Sequence, residues 1–469
     1  MKTRITLLLA ALVCPSQLPA QAPGSLDKTF QAQLPTNFAS FIYYPLAAQP
    51  DGKIVVGGIC SDAHFGPQFL ARLNTDGTLD ASFNASGIRC DGGDLTGYLA
   101  SIALQSDGKI VLGGRSWEVP EHGQFALARL NRDGSVDGTF VPATGSYVSK
   151  LVTLPGGGCL MRPWGGVLRR LKPNGELDST FSPQFPGAAS IAVQDFAVQP
   201  DGRIVLALYP RTLADGEKSE VIRVLPDGSY DPSFEPALTD RYVGSVEILP
   251  DGKIFLGAFS FQTRSDIFST VNGIARPGLA RLQADGRLDL DCIPFADDLN
   301  TSSLAIQHDG KIILPQYWKV TGNPTRQLAR LNTDGSRDET YVSELRQLRD
   351  GFDDFQILDM VLQPDDKLVV SIQDRSDDGT PFGTMIRLHG DGVPYIVPTS
   401  IRANSNRTVE FQITAATNRT VVVESSANLK SGPWTMLATF PPGVGRETIQ
   451  FSDSGAANMQ QRFYRAVSP

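Results

Sequence analysis

The sequence predicts an all-β protein, a seven-bladed β-propeller closed by its own N-terminal strand and followed by a small β-sandwich. Three observations carry this reading. A string of ten residues recurs from positions 49, 105, 154, 199, 249, 307 and 363, as QPDGKIVVGG, QSDGKIVLGG, LPGGGCLMRP, QPDGRIVLAL, LPDGKIFLGA, QHDGKIILPQ and QPDDKLVVSI. A second string of the type ARLNTDGTLDASF, Ala71 to Phe83, follows each in related form, and its seventh copy stops short. The missing piece stands near the start of the chain as Gly24, Ser25, Leu26, Asp27, Lys28, Thr29 and Phe30.

Each repeat reads as four short strands. An apolar stretch such as Leu99 to Leu104 runs into an Asp-Gly turn, and Lys109 to Gly113 returns. Asp-Gly between alternating apolar residues signals a two-residue hairpin, since glycine tolerates the positive φ that such turns require. A variable loop follows; Phe125 to Asn131 then predicts a third strand, Asp133 and Gly134 a second turn, and Ser135 to Phe140 a fourth strand. Antiparallel four-strand units at this spacing describe propeller blades. The N-terminal strand completes the last blade, which leaves no open edge where the ring closes. The propeller is assigned to 23–393. After Pro394 and Pro398 the rhythm changes, and 397–469 alternates over Thr408 to Ile413, Thr420 to Glu424, Trp434 to Thr439, Glu447 to Phe451 and Arg462 to Val467, the pattern of a β-sandwich.

Composition narrows the function classes. With 41% hydrophobic and 20% charged residues and 45 Gly in 469, the chain is neither collagen nor disordered nor a membrane bundle. Lys2 and Arg4, the apolar run Ile5 to Val13 and the small-residue end Ala20, Gln21, Ala22 make 1–22 a secretory signal peptide. Cys14 raises a lipoprotein alternative, against which Val13 is bulkier than the residue such sites carry. Removing the peptide takes two bases from 42 and none of the 50 acids, so the net charge falls from -8 to -10. An acidic, secreted or cell-surface chain with no integral membrane segment is the expectation, a monomer that binds no nucleic acid.

Four His and five Cys argue against a His-rich metal centre, a zinc array or a disulfide-dense scaffold. No metal or other cofactor is expected. Cys60 and Cys90 sit in Gly- and Asp-rich segments and suggest one disulfide in an oxidising compartment, the alternative being four unpaired thiols. Cys159 and Cys292 replace apolar residues of sister repeats and read as buried and free.

The pairing of Q-P-D-G-K-I-x-x-G-G with R-L-N-x-D-G-x-x-D-x-x-F, from residue 24 to about 393, resembles the delta-60 repeat family of bacterial secreted and surface proteins. That resemblance implies a seven-bladed propeller outside the cytoplasm and brings no catalytic residue or ligand with it. Repeat three departs from it at GGGCLMRP, and Cys292 and Tyr341 replace Phe. The C-terminal segment VVVESSANLKSGPWTMLATF resembles immunoglobulin- or fibronectin-like modules, which implies attachment, sorting, spacing or capping.

An Arg recurs in every third strand (Arg72, Arg129, Arg170, Arg223, Arg281, Arg330, Arg387) and an Asp in every fourth (Asp80, Asp137, Asp178, Asp231, Asp289, Asp338, and Asp27 for the last). A single active site needs its residues once, so this recurrence reads as structure, a bidentate pair that holds registry. The rival reading is calcium at Asn74, Asp76, Gly77 and Asp80. Arg72 stands where an earlier carboxylate would be needed, and no Glu closes the loop.

The tight turns fall at one end of every sheet, so the long connections emerge at the other, where binding residues usually lie. The candidates there are Trp117, Glu118, Glu121 and His122; Phe261, Arg264, Asp266 and Phe268; Tyr317, Trp318 and Lys319; and Arg375, Asp377 and Asp378. Aromatic and Arg anchors beside polar groups suit a glycan or protein partner. The bland reading is solvated loops whose aromatics pack down on the sheets. No nucleophile elbow or H-E-x-x-H motif occurs. The expectation is a binding scaffold, with a carbohydrate-active hydrolase or lyase, its carboxylates over the central channel, as the alternative.

Overall fold

The computed structural model describes residues 23–34, 45–60, 70–90, 97–119, 123–142, 147–186, 191–213, 216–258, 268–294, 303–307, 309–320, 323–345, 356–375, 381–390, 395–396, 402–403, 408–415, 421–426, 435–441, 447–454 and 463–467. The chain divides into two compact units, Leu26–Leu388 and one that holds His389–Pro469.

In the first unit each repeat supplies three strands of an antiparallel sheet, and the second and fourth sheets also take in short strands of a neighbouring repeat, Ile59–Cys60 and Thr270–Val271 with Ile274–Ala275. Leu46–Ala48 pairs with Ile54–Gly57, which pairs with Leu70–Leu73. Equivalent triplets are Gly97–Leu104, Ile110–Val119 and Gly123–Leu130; Val148–Thr153, Cys159–Pro163 and Arg169–Leu171; and Val193–Val198, Ile204–Leu208 and Gly216–Val224. Ser245–Ile248, Ile254–Gly257 and Leu279–Leu282 follow, then Ala305–Ile306, Ile312–Val320 and Asn323–Leu331, and last Gln356–Leu362, Leu368–Arg375 and Pro381–Leu388. The middle strand has to be apolar on both faces because a neighbouring sheet covers each. Ile54–Gly57 and Ile254–Gly257 are accordingly buried throughout.

Apolar clusters join each sheet to the next. Val55 and Leu70 meet Leu99, Ile110 and Leu112, and similar clusters link the second sheet to the third, and so on to the sixth and seventh. One more joins the last sheet to the first, with Val369 and Met385 packed with Leu46, Ile54, Val56 and Phe30. Fully burying a single Val, Leu or Ile contributes about 1.5–3 kcal/mol, so these interfaces dominate the stability of the unit.

Two expectations are corrected. The turns are three-residue hairpins: Gln49 N–H donates to Lys53 O at 2.8 Å and Gly52 N–H to Gln49 O at 2.8 Å. Gly52 takes φ +82 after a type I turn, the form that ends in a left-handed residue. Asp366 fills this position in the last repeat at φ +62. The fourth strand also shrinks to a single β-bridge, such as Leu73 to Leu79 or Leu130 to Val136. The Asp just after it ends the extension, since Asp80 Oδ1 accepts from Ser82 N and Phe83 N–H folds back on Asp80 O. In the last sheet this bridge is Leu26 to Leu388, and Asp27 N–H donates to Arg387 O at 2.8 Å. The second turn also meets the segment after the preceding repeat. Gln31 N–H donates to Asp76 O, and a Cβ on Gly77 would stand 2.6 Å from Gln31 O.

In the second unit, Val409–Ala415 pairs with Glu447–Asp453, and Val421–Ser426 lies between Thr435–Phe440 and Phe463–Val467. Ile413, Val421 and Val423 form its buried centre, with Phe440, Phe451 and Tyr464 packed around them.

Candidate functional site

The repeated Arg and Asp meet, though not as a fork. Arg72 Nε donates to Asp80 Oδ2 at 2.7 Å, and Asp80 Oδ1 is taken by Ser82 Oγ at 2.6 Å. The guanidinium instead divides its donors, with Arg72 Nη1 reaching Arg132 O of the next repeat at 2.5 Å. Arg129 reaches Pro173 O, Arg170 Pro226 O, Arg223 Ala284 O and Arg281 Thr333 O in the same way, and Arg387 reaches Thr75 O in the first repeat. The partner carboxylates are Asp137, Asp178, Asp231 and Asp289 for these, Asp338 for Arg330, and Asp27 for Arg387. Phe83, Phe140, Phe181, Phe234, Tyr341 and Phe30 lie under the guanidinium of their repeat at 4.7 to 5.0 Å.

Lysine adds a second charge, with Lys53 on Asp80, Lys109 on Asp137 and Lys311 on Asp338. Burial alone would raise these carboxyls, but donation from Lys, Ser or Thr and Arg holds Asp80, Asp137 and Asp338 far below the usual range. The Asp80 oxygens that a calcium ion would need at this turn are therefore engaged by protein donors. Among the described residues no group of three His, Cys, Asp or Glu is placed to hold a metal.

The candidate loop residues fare differently. Trp117 and Glu118 lie in the strand Ile110–Val119, Trp318 in Ile312–Val320 and Arg375 in Leu368–Arg375. What reads as loop is thus a long hairpin, with Trp117 opposite Phe125, Trp318 opposite Thr325 and Arg375 opposite Pro381. Aromatic and β-branched residues keep such ladders going beyond the sheet. Side-chain positions of these four residues are outside the described set, as are His122, Phe261, Arg264, Asp266 and Asp377 altogether. Phe268 is fully buried, so it packs into the core.

Cys159 and Cys292 are buried and free, and burial pushes the Cys159 thiol up to about 12. Cys60 stands opposite Gly97 on one edge of Gly97–Leu104. Cys90 stands opposite Trp117, whose other edge is taken by Phe125, so it continues the row of Gly97–Leu104 beyond Arg115.

A position the sequence reading passed over carries the least uniform chemistry. Four residues before each first turn stand Pro45, Ser101, Lys150, Asp195, Ser245, Ser303 and Asp359. Bulges precede Ser101, Asp195 and Asp359 and aim these side chains at the following sheet. Ser101 Oγ accepts Leu151 N–H at 3.0 Å, Asp195 Oδ2 accepts Val246 N–H at 2.8 Å, and Asp359 Oδ2 accepts Leu46 N–H at 2.9 Å. Asp359 Oδ1 also accepts from Ser303 Oγ at 3.1 Å. Burial outweighs these donors and raises the Asp359 carboxyl to about 6.

The third, fourth and fifth sheets share an ion cluster. Lys150 Nζ lies 2.8 Å from Asp195 Oδ1 and 3.8 Å from Glu247 Oε1. Burial works against the Lys150 charge, but the two carboxylates outweigh it and hold its pKa up. Burial raises Glu247 against the pull of Lys150, with Asp195 adding repulsion. Lys150 keeps 25% of its side-chain surface and Glu247 38%, so the cluster is reachable from solvent. In the sequence, repeat three also departs from the common string, replacing DGKI by GGGC and ending in Arg162 and Pro163 before Trp164.

Comparison with known proteins matches this architecture. Residues 49–83, 105–140, 199–234, 249–291 and 307–341 match the model of a β-propeller domain of unknown function, DUF5122. The chain is similar to the extracellular domain of a one-component system from B. thetaiotaomicron, at 12% identity and TM-score 0.45, over 84% of this chain and 46% of that one. It is also similar to YCF48 bound to D1 peptide, at 13% identity and TM-score 0.42, over 79% and 98% of the two chains. A gluconolactonase from Xanthomonas campestris is similar at 13% identity and TM-score 0.36, over 75% and 96%. No ligand or activity follows from these likenesses. No curated protein matches the sequence. Among the described residues no helix is long and apolar enough to cross a membrane. The chain is an all-β protein built on β-propeller repeats.

Proposed function

We propose that the protein is a secreted, non-catalytic binding scaffold: a seven-bladed propeller over 23–393, completed by its N-terminal segment, with a β-sandwich over 397–469 for surface association. The cyclic succession of apolar clusters and the Leu26 to Leu388 bridge support the ring, and the leader-like first 22 residues support secretion. The observation that carries the functional reading is the division of labour along each sheet. At the turn end the same Arg, Asp and Lys recur as clamps, whereas the opposite half differs from repeat to repeat. Binding suits this half better than catalysis because Asp195 has both oxygens committed, one to Lys150 and one to the Val246 N–H. An acid or base must be free to exchange its proton.

A glycan array combined with a polysaccharide-degradation screen on the mature protein tests this. Binding without product release is expected. Product release that is lost on Glu247→Gln would overturn it in favour of a hydrolase or lyase. A Cys60 to Cys90 disulfide belongs to the same reading of an exported protein. Peptide mapping without reduction is expected to recover the two peptides linked; free alkylation of both thiols would exclude the bond.

A further inference from the structure

We infer that the open end of the hairpin Val148–Thr153 and Cys159–Pro163 is a saccharide-binding shelf, a step that rests on the binding role proposed above. Trp164 follows the second strand of this hairpin and Tyr147 precedes the first, and their rings lie 5.5 Å apart at 34°. A large aromatic side chain is normally covered, yet Trp164 is 64% exposed. Its backbone is held: Trp164 N–H donates to Tyr147 O at 3.0 Å, and Gly166 N–H to Pro163 O at 3.2 Å. Gly165 takes φ +64 beside it, and a Cβ there would meet nothing within 4 Å. Where the second, sixth and seventh repeats extend long hairpins, this one returns to its third strand at Arg169 after a short turn.

Polar groups stand on the same two strands. Lys150 is three residues from Tyr147 and opposite Arg162, and it leads to Asp195 and Glu247. Val193 N–H donates to Gly166 O at 3.2 Å, which ties the start of the Asp195 strand to the Trp164 turn. An exposed aromatic pair on the hairpin that also carries Lys150 matches a pyranose ring, whose C–H face stacks on an indole while its hydroxyls both donate and accept. A peptide would need unpaired backbone groups or an apolar pocket to dock. A nucleic acid would be repelled by the acidic chain.

The test titrates the mature protein with soluble hexasaccharides of glucose, xylose, mannose and N-acetylglucosamine, reading tryptophan fluorescence and calorimetric heat. Wild type is expected to bind at least one with a blue-shifted emission, and Trp164→Ala to weaken it roughly tenfold or more with its unfolding midpoint unchanged. Trp164→Phe is expected to retain part of the affinity. Undiminished binding by Trp164→Ala would overturn the shelf and leave the binding scaffold standing. Failure of wild type to bind any of the four sugars would overturn the saccharide assignment, while the array decides the scaffold separately.

Discussion

Replacing Arg387 by Met is expected to lower the unfolding free energy by about 3–5 kcal/mol, because the buried Asp27 carboxylate loses its guanidinium. The pair joins residues 360 apart in sequence, with Arg387 Nε 2.9 Å from Asp27 Oδ2, and Arg387 also reaches Thr75 O of the first repeat. One substitution thus loosens the N-terminal segment, the last sheet and the first together. The same change at Arg170 is expected to cost much less, about 1 kcal/mol or below, because Arg170 and Asp178 keep 20% and 18% of their side-chain surface and water screens them. Urea unfolding at neutral pH of both variants measures the difference. Equal losses would mean that the Arg387 pair has no special part in holding the ends of the unit.

The second large effect is a pH dependence at Asp359. Its folded carboxyl sits at about 6 against an ordinary 3.8, so between these values the folded state binds more protons than the unfolded one. Stability from this group is therefore complete below pH 3.8 and is lost as pH rises through 6. Asp80, Asp137 and Asp338 have the opposite sign: their folded carboxyls are held low, so their contribution is complete above pH 3.8 and falls in acid. Asp359→Asn removes the first dependence and keeps the second. From pH 4 to 7 the stability of this variant relative to wild type is expected to rise by about 2 kcal/mol. A constant difference across that range would show that Asp359 ionises normally where it joins the seventh sheet to the first.

Much of the architecture is legible in the sequence because the repeat prints it. Apolar pairs such as Ile54 and Val56 mark the middle strand, and Gly52 and Gly77 mark the turns, since a local rule determines each. What a local rule misjudges is what tertiary contacts decide. The Asp-Gly dipeptide alone does not separate a two-residue from a three-residue hairpin, and only the Gln49 to Lys53 bond does. The segment after Asp80 looks like a strand until its carboxylate turns the backbone at Ser82. Trp117 and Trp318 read as loop residues because the repeat ends before them, although the ladder goes on. Lys150 and Asp195 were present in the sequence only as unlike residues in aligned repeats, a signal that appears when each repeat is read four residues back from its first turn, and Glu247 stands two residues back from its own. Their meeting depends on how adjacent sheets pack, which one chain of letters does not state.

The claim that this propeller binds without catalysis is tested most directly by recovering a bound oligosaccharide after prolonged incubation with saturating mature protein and weighing it by mass spectrometry. The prediction is one intact mass, in stoichiometric complex. Shortened or unsaturated products that accumulate beyond the amount of protein would contradict it and make the cluster of Lys150, Asp195 and Glu247 a catalytic centre.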